Sequence, residues 1–133
     1  MDIEEIRDSG GEVLAVIVRA ELMPESTRFI TPDTYSLQMG MIVYGKDRSI
    51  TPHMHLPVVR QVEGTNEVVQ VRRGGCLVDI FDRDRNLVCQ HALRQGDLIL
   101  LRCGGHGFRM LEDTVLFEVK QGPYVDGKDK ERF

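Results

Sequence analysis

The chain is expected to be all-β, a small barrel or sandwich of short strands. Three observations predict this. Short apolar runs rich in Val, Ile, Leu and Phe recur along the chain, single Gly, Asp or Asn residues punctuate them, and no stretch sustains a helical period. A helix is plausible only at residues 1–8, where Ile3 and Ile6 sit three apart.

The strands follow in order. "EVLAVIVRA" (12–20) is the first, rich in Val, Ile and Leu. "YSLQMGMIVY" (35–44) and "ITPHMHLPVVRQV" (50–62) come next, then "NEVVQVRR" (66–73), "CLVDIFD" (76–82), "NLVCQHAL" (86–93), "DLILL" (97–101), "HGFRM" (106–110) and "TVLFEVK" (114–120). "RRGG" (72–75) and "DRDRN" (82–86) have hairpin-turn chemistry, and "RQGD" (94–97) places Gly96 where a positive φ is needed. "LVDIF" and "LILL" are apolar on both faces, so their outer faces call for a second sheet or a partner subunit, and a homodimer is expected.

With 133 residues and 41% apolar content, one domain spanning 1–133 is expected. The net charge of -4, with seventeen Lys and Arg spread along the chain, gives no nucleic-acid footprint. The opening "MDIEEIRDSG" is acidic where a secretory leader is basic, and the run Val13 to Val18 is too short to span a bilayer. No membrane partner is expected, and the cytoplasm is the expected location. Three cysteines without a CxxC pair indicate neither a disulfide framework nor a thiolate zinc site.

Candidate chemistry centres on histidines. On a strand, His53 and His55 would share a face about 6.5 to 7 Å apart and reach one cation. Their alternative is a pair of polar residues on a solvated face. His106 lies in the glycine-rich "RCGGHGF", and Glu67 opens a strand and offers a carboxylate; Gln61 and Glu63 are replacement ligands by parity. Three imidazoles and a carboxylate suit Fe, Mn, Zn, Ni or Cu, which such ligands discriminate poorly. Arg60 and Arg109 are candidates for holding an anionic substrate group. His91 and Cys103 read as structural, and Met39, Met41, Met54 and Met110 as gap-fillers of the interior. The tail "DGKDKERF" (126–133) mixes both signs and reads as a solvated end that Tyr124 and Phe133 could pin.

With these residues in hand, the sequence resembles a small single-domain cupin. Gly45, His53, His55, Glu67 and Gly74 fill the first cupin motif, and "GDLILLRCGGHGF" supplies Gly96, Gly104 and His106 of the second. The resemblance covers roughly residues 35–120. It implies a double-stranded β-helix, the cupin-type jelly-roll barrel, holding one divalent transition metal through His53, His55, Glu67 and His106. The chain departs from the pattern in three places. Eleven residues separate His55 from Glu67, where about three or four are usual. Arg102 stands where proline is common, with His106 one residue early, and Gly45 lies two residues too far ahead of His53. The resemblance implies a metal-dependent enzyme, an oxygenase or isomerase, acting on a small polar or anionic molecule such as a sugar or small acid. The alternatives are a non-catalytic metal or small-ligand binding module, and a metal-free sugar-nucleotide isomerase or epimerase with His53 as base.

Overall fold

The computed structural model describes residues 1–133, and the protein is all-β: ten strands, antiparallel pairings throughout and no helix. Two compact units make up the chain, one of Met1–Leu22 with Gly64–Phe133, the other of Met23–Glu63.

The first unit holds eight strands. A five-stranded sheet runs in the order β1 (Ile3–Arg7), β2 (Val13–Val18), β8 (Leu98–Leu101), β5 (Glu67–Arg73), β10 (Val115–Lys120). A three-stranded sheet runs β7 (Leu87–Arg94), β6 (Gly75–Phe81), β9 (Gly105–Met110). Ile6, Ala15, Ile17, Val69, Val71, Ile99 and Leu101 from the larger sheet share one core with Cys76, Val78, Ile80 and Leu93 from the smaller. Free edges remain at β1 and β10 and at β7 and β9, so of the barrel or sandwich expected the strands form an open two-sheet sandwich and not a closed barrel.

Ile3–Arg7 form a strand where a helix over residues 1–8 was plausible. Two isoleucines cannot hold eight residues in a helix, whereas the edge of β2 offers a ready ladder. β1 takes it with Ile6 opposite Ala15, and Ile6 is buried in the core. β2 is buried at every position. The Asp8 carboxylate accepts from the Gly10 and Glu12 amides and closes the turn between them.

The turns divide into two kinds. "DRDRN" joins β6 to β7 as a hairpin, with Asp82 Oδ1 accepting from the amides of Asp84 and Asn86. "RRGG" makes a corner instead of a hairpin, since β5 and β6 belong to different sheets. Gly74 is essential there: its φ is +87°, and a Cβ would lie 2.5 Å from the Asp113 carbonyl oxygen. "RQGD" is a second corner, from β7 to β8. Beside it the fully buried Asp97 accepts hydrogen bonds from the Ala20 amide at 2.9 Å, the Arg94 amide at 3.0 Å and Arg19 Nη1 at 3.1 Å.

In the second unit, only Arg28–Phe29 (β3) and Gly40–Met41 (β4) pair. Most of the strand expected at 35–44 is therefore absent, and none forms at 50–62. Pro52 and Pro57 explain the latter: each lacks the amide that a ladder needs, and two within six residues prevent regular pairing. No helix of the chain is long and apolar enough to cross a membrane.

Candidate functional site

Glu67 is the first residue of β5, on the face that Val69 and Val71 turn to the core. It sits at the open end of that face with its side chain 13% exposed. His106 is the second residue of β9 and shares its face with Phe108, which packs on the core. The preceding turn delivers it. Gly104 has a φ of +76° and lies so close to β6 that a Cβ would stand 2.3 Å from the Phe81 carbonyl oxygen. Only a glycine can take that conformation so close to the neighbouring strand. His106 Nε2 meets Glu67 Oε1 at 2.8 Å, bridging the two sheets.

A third group joins them. In the β5–β10 ladder Glu118 stands opposite Val69 and Lys120 opposite Glu67, so Glu118 is the diagonal neighbour of Glu67 on one face. The hydrogen bond from His106 holds the Glu67 carboxyl down to about 2, against the burial that would raise it, and a hydrogen bond from Glu118 adds to the lowering. Glu118 moves the other way: its hydrogen bond to Glu67, its burial and the Glu67 charge all push it up. One carboxylate is kept ionised while its neighbour is biased to hold a proton. The sequence reading missed Glu118, because its relation to Glu67 is set by the register of two strands about fifty residues apart.

In the second unit, His53 and His55 come together off any strand, with ring centroids 5.3 Å apart in an edge-on arrangement. His53 Nδ1 lies 2.8 Å from the Thr51 carbonyl oxygen. A carbonyl only accepts, so Nδ1 carries a proton and, in the neutral ring, Nε2 is the free acceptor, the tautomer that such a backbone contact fixes in metal-ligating histidines. Arg60, Gln61 and Glu63 are exposed in the same segment.

Chemically the donors fit a first-row metal. The 2.8 Å between His106 Nε2 and Glu67 Oε1 is that of a hydrogen bond donated by the imidazole. Neither unit by itself gathers three His, Cys, Asp or Glu side chains at metal-binding distance. The structure brings together His53 with His55, and Glu67 with His106.

Other candidates fall away from these pairs. Arg109 is three residues beyond His106 on β9, hence on the opposite face of the strand, and exposed. His91 is half-buried opposite Val78 on β7. Burial pushes the thiols of Cys76, Cys89 and Cys103 up, and Cys103 Sγ contacts the Val13 carbonyl at 3.4 Å, so none is an activated nucleophile. Of the four methionines expected inside, Met39 is buried, whereas Met54 and Met110 are exposed. A cleft of about 650 Å³ is lined by Met1, Asp2, Glu4, Arg19, Glu21 and Arg94, of which Arg19 pairs with Glu4 and Arg94 with Glu21.

No family model, curated protein or solved structure matches the chain. The geometry and the motif residues therefore carry the functional argument alone.

Proposed function

We propose that the chain is a cupin-type protein that binds one divalent transition metal through His53, His55, Glu67 and His106 and acts on a small polar or anionic molecule. The observation that carries this reading is the Glu67–His106 contact: two residues taken from separate motifs meet at 2.8 Å across two sheets. The His53 tautomer adds support. A bound metal of the Fe, Mn, Zn, Ni or Cu class supplies Lewis acidity. Glu118, whose carboxyl is pushed up by its hydrogen bond to Glu67, stands beside that residue, and Arg60 is a clamp for an anionic group. The working form is proposed to be a homodimer.

Elemental analysis of the purified protein tests the reading. About one metal per chain is expected in the wild type and none after His53→Ala and His55→Ala are combined. Full occupancy in the double variant would overturn the ligand assignment. The second reading, a metal-free isomerase or epimerase, draws on the same contact, since a carboxylate that orients an imidazole is the arrangement of a general base. On this reading His106, and not His53, is the base. A wild-type protein that turns over substrate with no metal present would establish it.

A further inference from the structure

The residues after β10 do not simply trail into solvent. The Thr65 hydroxyl, two residues before Glu67, donates to Asp129 at 3.2 Å. Lys130 lies near enough to Glu118 for its charge to oppose the upward push on that carboxyl. Glu131 pairs with Arg85 at 2.8 Å. The Phe133 ring stands edge-on to Phe81 with centroids 5.1 Å apart, and the Arg85 guanidinium lies over its face at 5.1 Å. It also rests on Gly105, the residue before His106, where a Cβ would come within 2.7 Å of the ring.

These anchors fall on both sheets. Thr65 leads into β5 of the larger one, while Phe81 and Gly105 belong to the smaller. Packed sheets lie about 10 Å apart, and the four steps from Asp129 to Phe133 span at most about 14 Å. The segment therefore crosses directly between the sheets, at the end of the sandwich where Glu67 meets His106.

We propose that residues 126–133 are a strap over the Glu67–His106 end of the sandwich, latched by Phe133 and Arg85, and that lifting it widens access to the pair, whose side chains are 13% and 34% exposed with the strap in place. Its anchors suit a part that opens. The Arg85–Glu131 pair is exposed and Phe133 is 60% exposed, and contacts of these kinds are individually weak. By contrast β10 is held by a full ladder to β5. The inference concerns access to the pair and stands whether or not the pair holds a metal.

The test is the rate at which diethyl pyrocarbonate modifies each histidine of the full-length protein, followed by peptide mass spectrometry, before and after treatment with a chelator. Wild type is compared with Phe133→Ala and Arg85→Gln, both surface changes. His106 should react about fivefold faster in each variant, as expected for losing weak exposed contacts. His91, on the opposite edge of the same sheet, should keep its rate. An unchanged His106 rate would overturn the strap, and so would a rise shared equally by His91, since that would be general loosening.

Discussion

Glu67 shows how one side chain is held charged where burial opposes charge. The imidazole of His106 and the carboxyl of Glu118 both direct hydrogen bonds at it, and together they outweigh the cost of lost water. If it ligates metal, Glu67→Gln should weaken binding by at least the roughly ten- to hundredfold seen on disturbing even outer groups of a site. A chelator competition titration at two pH values measures this. Equal affinities would remove Glu67 from the site, and affinity indifferent to acid would remove the histidines, which must be unprotonated to ligate. Glu12 offers a pH prediction away from the site. Arg83 forks onto its two oxygens at 2.8 and 3.0 Å, and that hydrogen bond is the main reason its carboxyl falls from 4.5 to about 2, against desolvation. A depressed carboxyl stabilises the fold above its unfolded value, so this contribution is present above pH 4.5 and lost as the pH falls toward 2. With side chains 36% and 63% exposed, screening limits it to about 1 kcal/mol at most. Urea unfolding should show Glu12→Gln less stable than wild type above pH 4.5, the gap closing toward pH 2; a gap of constant size would refute the pairing. At this scale the sequence told part of the story. Motif residue types picked out Glu67 and His106 despite their irregular spacing, whereas Arg109, read as a candidate clamp for an anionic group, lies on the face away from His106. Glu118 needed the β5–β10 register, which is a long-range fact.

At the scale of elements, β2 and β5 to β10 were legible because apolar runs and their glycine or aspartate ends are local signals. β1 was not, because its strand state comes from the neighbour it pairs with and not from its own two isoleucines. The stretch 50–62 misled in the other direction: its apolar residues suggested a strand, and Pro52 and Pro57 remove the amides that would have made one. "RRGG" was readable as a turn, but local turn chemistry does not say which sheet the next strand joins. Gly104 is the element-scale residue on which the site depends. An alanine there meets both a left-handed φ of +76° and the Phe81 carbonyl. Gly104→Ala should cost about 2 kcal/mol or more in denaturant unfolding and should disturb the start of β9, and His106 with it. Gly107→Ala is the control, since a Cβ there meets nothing within 4 Å, and it should change stability by less than about 0.5 kcal/mol. Equal costs would show that the turn tolerates a side chain after all.

At the scale of the molecule, the homodimer proposal changes its footing. Sequence suggested that "LILL" needed outside cover, yet Ile99, Leu100 and Leu101 are all buried within the chain itself. Apolar surface remains elsewhere. Phe117 and Val119 are 52% and 49% exposed on β10, on the face opposite Glu118. β10 is also an edge strand whose outer backbone groups have no ladder partner, a feature that proteins ordinarily blunt or pair. Local patterning could not foresee this, since which strand ends a sheet is decided only when the sheet assembles. A dimer that uses this edge should scatter light as about twice the 15.1 kDa chain at micromolar concentration. Phe117→Asp should shift it to monomer with little change in unfolding stability of the chain, because the side chain lies outside the core. A wild type of one chain's mass would end the dimer reading, while a dimer that survives Phe117→Asp would move the interface away from β10.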